Sequence, residues 1–175
     1  WAAFNQCYSL VEISLPDSVT EIGYGAFCDC SNLQKVCNLG SITSINDSSF
    51  SWCRRLKSIT IPSSVTNIDG SAFVYCINLT DINIEGNNFI AEDGAIYTSD
   101  KKTLIAYPTA SGDVILDNSV TTIGDSAFCH SDITSITIPN SVTEIGEAAF
   151  SQSSLKTVKS LGSIASIPAW SFTYC

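Results

Sequence analysis

Apolar residues recur along the chain at a regular interval. The clearest marker is phenylalanine, which recurs at one constant spacing in the first half of the chain and at a spacing one position shorter near its end. The marker residues are Phe4, Phe27, Phe50, Phe73, Phe128, Phe150 and Phe172. A fixed period of roughly 20–50 residues is typical of a solenoid of stacked repeats. The pattern therefore predicts about seven coils, one for each Phe, of twenty-two or twenty-three positions each.

Each coil also carries a short apolar segment that predicts a β-strand. Segments 10–16, 56–62 and 133–139 share the pattern apolar-x-x-apolar-x-apolar-Pro. Alternate side chains of a strand point to opposite faces, so the last two apolar residues face the core and the residue between them faces outward. Because so short a repeat cannot cover its own apolar face, we expect the strands to stack in parallel and in register around one continuous core.

The Phe column has two interpretations, a buried core or an exposed aromatic ladder that binds a ligand. Burial of one Phe side chain contributes about 1.5–3 kcal/mol. Seven of them supply a stabilisation comparable to the net stability of a whole domain, about 5–15 kcal/mol. The sequence therefore favours burial of the column.

The period is interrupted once, between Phe73 and Phe128, whose separation is more than twice the repeat period. Segments 88–98 and 103–108 are rich in β-branched and aromatic residues and flank the polar segment 99–102. This arrangement predicts two strands joined by a hairpin turn. We therefore expect one domain, 1–175, with N-terminal repeats 1–85, a hairpin insertion 86–112 and C-terminal repeats 113–175.

The recurring text resembles the BspA-like leucine-rich repeats. Their units read approximately Leu-x-x-Ile-x-Ile-Pro, Ser-Val, Ile-Gly, Ala-Phe and Cys, and the clearest copies here are segments 25–27, 71–73, 125–128 and 147–150. The resemblance covers nearly the whole chain and implies a leucine-rich repeat solenoid in which a hairpin interruption is familiar. It also implies a cell-surface or secreted protein of host-associated microbes. The partners it implies are a host-surface or extracellular-matrix protein or another microbial surface protein.

The cysteines follow the same period. Cys7, Cys30, Cys53 and Cys76 each lie three residues after a repeat Phe, Cys175 holds the same place in the last coil, and Ser131 and Ser153 replace it in two others. Small, semi-apolar packing suits both residue types, so we favour free buried thiols, with disulfides between neighbouring coils as the alternative. The chain has no Cys-x-x-Cys pair at zinc spacing, and Glu92, Asp93 and Asp100 lack the spacing of an EF-hand. No metal and no cofactor is therefore expected.

Charge and motifs narrow the function further. The net charge of −9, from 17 acidic and eight basic side chains, disfavours nucleic acid as a partner, because phosphate binding relies on Lys and Arg. No long apolar run predicts a membrane span. His130 is the single His, and the chain lacks the nucleophile, phosphate-loop and zinc-protease motifs, so we expect no enzyme. The absence of Met and of a signal peptide leads us to expect a piece of a longer surface protein.

The outward residues of successive strands form the candidate binding surface, because a parallel solenoid aligns them in columns. The columns contain Glu12, Ser14, Lys35, Cys37, Ser58, Thr60, Asp81, Asn83, Asp113, Ile115, Ser135, Thr137, Thr157 and Lys159. Alternatives are a merely solvated sheet face, a coil edge around Trp52–Arg55 and Tyr75, and the hairpin tyrosines Tyr97 and Tyr107.

The expected function is a non-enzymatic protein-binding or adhesion module, and the alternative is a structural spacer. Solenoid ends expose core residues, so we also expect a tendency to end-to-end self-association.

Overall fold

The computed structural model describes residues 1–161 and 163–175, and within them the chain forms a β-solenoid with almost no helix. The fold class predicted from the period is confirmed. One 3-10 helix spans Gly70–Phe73, and the strands are β1 (Glu12–Leu15), β2 (Lys35–Leu39), β3 (Ser44–Ile45), β4 (Ser58–Ile61), β5 (Asn67–Ile68), β6 (Asp81–Ile84), β7 (Phe89–Glu92), β8 (Ala95–Thr98), β9 (Thr103–Ala106), β10 (Ser111–Ile115), β11 (Thr122–Ile123), β12 (Asp132–Ile138), β13 (Glu144–Ile145) and β14 (Thr157–Leu161).

The predicted repeat strands are present, but they lie in two sheets. One sheet has the order β1-β2-β4-β6 and the other β10-β12-β14, and all of their pairs are parallel. The apolar positions match across coils, as in Ile59 beside Ile82 and Ile136 beside Val158. β6 and β10 are not paired, so the strand row is interrupted at the insertion.

The repeat phenylalanines form the buried column that the sequence favours. The rings of Phe27, Phe50, Phe73, Phe128 and Phe150 are at most 1% exposed. Rings of neighbouring coils stack with centroids 5.0–5.7 Å apart and planes within 7° of each other. This geometry adds an aromatic contact to the apolar burial in each coil.

The residue two places after each repeat Phe adopts a left-handed backbone conformation. The φ angles of these residues lie between 56° and 66°, for Gln6, Asp29, Trp52, Tyr75, His130, Gln152 and Tyr174. Such angles are unfavourable for residues other than glycine. Hydrogen bonds between neighbouring coils offset the strain, as when the N–H of Trp52 donates to the carbonyl oxygen of Val74 at 2.8 Å. The turn therefore places one variable side chain per coil in an outer column.

The insertion contains one more strand than expected. The predicted hairpin is present as the antiparallel pair β8 and β9, but β7 and β8 form a second hairpin around Asp93 and Gly94. The single strand predicted for 88–98 is wrong, because an Asp-Gly turn divides it. The resulting meander is joined to the solenoid through β9, which pairs in parallel with β11.

The expectation of one continuous core is also wrong, since the meander separates two apolar clusters. Ile96 and Ile105 belong to the cluster of the first four coils, whereas Tyr97 and Leu104 belong to the cluster of the later coils. Adjacent residues of a strand point to opposite faces, so β8 and β9 contribute to both clusters. Burial on both faces explains why these strands show no alternation of apolar and polar residues.

Tyr107 takes the place of a repeat Phe in the coil that contains β10. Its N–H donates to the carbonyl oxygen of Ala127 at 2.8 Å, just as the N–H of Phe128 donates to that of Ala149 at 2.7 Å. Its ring centroid lies 5.9 Å from that of Phe128. Ala110, three residues later, is buried at the position held by Cys in other coils. The interruption of the Phe period therefore contains a coil as well as the meander.

Candidate functional site

The outward side chains of the strands align across neighbouring coils, and we call the surface they form the strand face. Strand register places Glu12, Lys35, Ser58 and Asp81 in one column of the first sheet and Thr60 beside Asn83 in the next. In the second sheet the columns are Asp113, Ser135 and Thr157, then Ile115, Thr137 and Lys159. The alignment follows from the parallel register, which stacks equivalent positions of successive repeats.

Two candidate residues differ from expectation, Ser135 in its burial and Cys37 in its register. Ser135 is only 6% exposed, and its hydroxyl donates to Oδ1 of Asp113 at 2.6 Å, so it lies beneath its neighbours and is not an outward contact. Cys37 is exposed, but a register shift after Ile13 places Asn38 opposite Ser14. The remaining candidate residues on the strand face are exposed or half-buried.

The strand face is polar and carries charges of both signs. Lys35 lies between Glu12 and Ser58 in the first column, and Lys159 ends a column of the second sheet. The thiol of Cys37 donates to Oε1 of Glu12 at 2.7 Å, and this hydrogen bond raises the pKa of Cys37. Such a surface offers hydrogen-bond donors, acceptors and charges over an extended area.

A second surface lies at the coil edge, where Trp52, Tyr75 and His130 pack together. We call these three residues and Arg54 the ring cluster. The ring centroids of Trp52 and Tyr75 are 4.4 Å apart, and the His130 ring lies 4.9 Å from Trp52 and 5.5 Å from Tyr75. The Arg54 guanidinium lies 5.0 Å from both the Trp52 and the Tyr75 ring centroids.

The sequence indicated Trp52 and Tyr75 but not His130, which follows the insertion in the chain. At this edge the coil of Phe73 lies directly against that of Phe128, and a Cβ atom at Gly70 would overlap the carbonyl oxygen of Asp125. Burial lowers the pKa of His130, so its imidazole is neutral at pH 7. The close approach of these two coils brings His130 to the ring cluster. The repeat spacing in the sequence does not predict this approach.

The third candidate, the pair Tyr97 and Tyr107, lies in the wall of a cavity of about 450 Å³ between the meander and β10. The Lys101 ammonium contacts the carboxylate of Glu92 at 2.6 Å and lies 5.7 Å from the Tyr97 ring centroid. Burial raises the pKa of Tyr97 to about 12 and also raises that of Tyr107. Both phenols are therefore neutral at physiological pH.

Two of the three acids considered as calcium ligands, Asp100 and Glu92, have partners within the protein. Oδ1 of Asp100 accepts hydrogen bonds from the Thr98 hydroxyl at 2.7 Å and the Lys102 N–H at 3.1 Å. Glu92 pairs with Lys101. No group of three His, Cys, Asp or Glu side chains able to hold a metal ion occurs in residues 1–161 and 163–175. In the same residues no helix has the length and apolarity needed to cross a membrane.

Parallel strands stacked in short coils over an internal Phe column define a leucine-rich repeat solenoid. The family described as BspA type leucine rich repeat region matches residues 2–103 and 107–175 in six copies. This chain therefore belongs to the BspA-type leucine-rich repeat family, as its repeated motifs predicted.

Solved structures share the fold. A leucine rich cell surface protein from Faecalibacterium prausnitzii A2-165 matches with a TM-score of 0.64 and 26% identity, over 99% of this chain and 60% of that protein. A leucine-rich repeat protein from Eubacterium ventriosum ATCC 27560 gives 0.65 and 26%, over 97% and 59%. The pneumococcal vaccine antigen PcpA gives 0.74 at 22% identity, over 89% and 40%, which shows the fold alone. This chain thus spans about 60% of the first two and 40% of the third, and no curated protein matches it.

Proposed function

We propose that this chain is a non-enzymatic protein-binding module of a cell-surface or secreted protein and that the strand face is its contact surface. The observation that carries the proposal is the register, which aligns exposed polar side chains of successive coils into columns. Extended surfaces of this kind suit a protein partner better than a small molecule. The name of the F. prausnitzii protein, a cell surface protein, supports the same location for this chain.

The four-stranded sheet is the stronger half of the strand face. Asp81 and Asn83 are exposed on β6, and Ser58 and Thr60 are half-buried beside them. In the three-stranded sheet, by contrast, the buried Ser135 joins Asp113 in a hydrogen bond and leaves fewer groups for a partner. We therefore assign the primary contact to β4 and β6. The partner class is a host-surface or extracellular-matrix protein, or another microbial surface protein.

The test is binding of the purified chain to immobilised extracellular-matrix and epithelial-surface proteins at physiological salt. The face variant combines Ser58→Ala, Thr60→Ala, Asp81→Ala and Asn83→Ala. Its matched control combines Thr66→Ala, Asn67→Ala, Thr143→Ala and Glu144→Ala, which also removes two hydroxyls, one carboxylate and one amide from exposed positions. Saturable binding that the face variant weakens at least roughly ten-fold, and the control leaves intact, supports the proposal.

The same experiment distinguishes the alternatives. Equal loss in both variants, or no loss in either, contradicts the strand face as the contact. Absence of binding to every protein tested favours a structural spacer in a larger surface protein.

The ring cluster is the second candidate contact because its composition matches that of interface hot spots. Trp, Tyr and Arg are the side chains most enriched among residues that carry binding energy, and Trp52, Tyr75 and Arg54 lie within about 5 Å of one another. Arg54→Ala removes the exposed member and leaves the three rings in place. If this variant loses binding and the face variant does not, the contact surface is the ring cluster at the coil edge and not the strand face.

We further propose that residues 1–175 fold as one domain, because β8 and β9 supply side chains to both apolar clusters. End-to-end self-association stays a prediction. Trp1, Trp170 and Tyr174 are 92%, 62% and 81% exposed in the end coils. Sedimentation velocity over a wide concentration range tests it: a concentration-dependent rise in mass supports self-association, and a constant monomer mass contradicts it.

A further inference from the structure

A further surface with binding character lies at the free edge of β10. β10 is the end strand of its sheet, because the strand order is β10-β12-β14. Alternate residues of a strand direct their N–H and C=O groups to opposite edges, so the edge turned away from β12 has no strand partner among the described residues. Ser111, Gly112, Asp113 and Ile115 are exposed, and Ile115 is 79% exposed. An exposed, unpaired edge is a template for another extended chain.

This edge borders the cavity of about 450 Å³ that separates β10 from the meander. Ser111 and the five consecutive residues 113–117 line one wall, so the cavity follows the whole strand, whose five residues extend about 16 Å. Asp93 and Tyr97 of the meander also line the cavity. We call this cavity the edge groove.

The charge of the edge groove favours a cationic occupant. Its acidic side chains are Glu92, Asp93, Asp113 and Asp117, and its one basic side chain, Lys101, is paired with Glu92. Three carboxylates therefore remain in excess. Hydrogen bonds from Ser135 and Ser119 lower the pKa values of Asp113 and Asp117, respectively, which keeps both ionised at neutral pH.

We propose that the edge groove binds an extended peptide segment with alternating Lys or Arg residues, which adds as a strand to the free edge of β10. Main-chain hydrogen bonds to the edge supply affinity, and the carboxylates select positive side chains at every second position. The half-buried Val114, on the other face of β10, and the neutral Tyr97 ring supply apolar contacts for the intervening residues. The edge groove is separate from the β4 and β6 contact, so this inference stands or fails independently of the proposed function.

The probe is a fluorescent, end-capped octapeptide of alternating Lys and Val, titrated with the intact chain and followed by fluorescence anisotropy. One control peptide has Glu in place of Lys. The other has every backbone amide N-methylated, which keeps the charge but removes the donors to the edge. We expect saturable binding of the Lys peptide and at least roughly ten-fold weaker binding of both controls.

Variants of the chain test the carboxylates. Asp93→Asn combined with Asp117→Asn is expected to weaken binding of the Lys peptide by roughly ten-fold at low salt. Both changes are isosteric, and Asn tolerates the φ of 52° at Asp93. The matched control, Glu21→Gln with Glu144→Gln, removes the same charge from exposed residues outside the groove and is expected to leave binding within about two-fold.

Amide hydrogen exchange of the unmodified chain supplies a readout that needs no variant. The Lys peptide is expected to slow exchange at the outward-facing amides of Ser111–Ile115. Four results would overturn the proposal: no binding of the Lys peptide, equal binding of the N-methylated peptide, unchanged exchange in β10, or equal weakening by the two pairs of substitutions.

Discussion

The thiol of Cys53 donates a hydrogen bond to the carbonyl oxygen of Phe27, one coil earlier in the stack, at 3.1 Å. The same contact joins Cys30 to Phe4 and Cys76 to Phe50, each at 3.0 Å. Successive coils are thus linked in two ways along the Phe column. The Phe rings stack, and a thiol donates a hydrogen bond to the backbone carbonyl of the Phe in the preceding coil. The recurrent spacing of Phe and Cys within the repeats has a packing origin and needs no disulfide.

Removal of this contact is expected to destabilise the solenoid. Cys53→Ala loses a hydrogen bond and leaves a small cavity at a fully buried site, so we expect the free energy of unfolding to fall by about 1–2 kcal/mol. Ser131→Ala, in the same column, removes a buried hydroxyl that has no hydrogen-bond partner among the described residues. It is expected to be neutral or slightly stabilising. Urea denaturation measures both, and equal destabilisation by the two substitutions would contradict the assigned role of the thiol.

The Phe column is expected to contribute most where both neighbouring coils are present. Phe50 is fully buried and stacks on Phe27 and Phe73, so Phe50→Ala should lower the free energy of unfolding by about 3–5 kcal/mol. Phe4 is 38% exposed and stacks on one ring only, so Phe4→Ala should cost less than half as much. Urea denaturation measures both losses. Equal losses would contradict the expectation that a Phe stacked on two neighbouring rings contributes more stability than a Phe stacked on one.

The repeat period was sufficient to predict the coils, because one buried Phe per coil is a local requirement that the sequence displays directly. The Phe spacing alone did not mark the coil of β10, because Tyr107 substitutes for Phe there, although the small-aromatic-x-x-small pattern of 106–110 was visible. The strand face was predicted from alternation, but the burial of Ser135 depends on the side chain of Asp113 in the adjacent strand. His130 lies beside Tyr75 because the meander between them in the chain lets the coil of Phe128 pack against the coil of Phe73. No local sequence pattern predicts this packing.

The Asp113 carboxylate offers a test of the local electrostatics in the second sheet. The hydrogen bond from Ser135 and the charge of Lys159 lower its pKa. A carboxyl whose folded pKa is lowered stabilises the fold above its ordinary pKa and loses this contribution as the pH falls through the folded value. Ser135→Ala removes the largest cause, so the Asp113 pKa should rise toward its ordinary value. An NMR titration of the Asp113 carboxyl measures the change, and an unaltered pKa would refute the assignment.

The ring cluster is expected to make stability depend on pH near neutrality. Burial lowers the pKa of His130, so the unfolded chain binds its proton at a higher pH than the folded chain does. Stability should therefore fall as the pH decreases through about 6.5 and on through the folded pKa. The substitution His130→Asn removes the titrating group, and Asn tolerates the φ of 58° at this position. The Tm is measured about one pH unit above and about one pH unit below 6.5, and the difference between the two Tm values should be smaller in the variant than in the unmodified chain. An unchanged difference would show that other groups cause the pH dependence.

The most direct test of the proposed function is photocrosslinking from a residue of the strand face to the bound protein. A photoreactive side chain is installed at position 58 on the strand face. In a matched chain it is installed at position 67 on β5, which is exposed and belongs to a different sheet. Each chain is irradiated with the extracellular-matrix or epithelial protein that it binds most tightly. We predict a covalent product from position 58 and none from position 67. A product from position 67 alone would contradict the strand face as the contact surface.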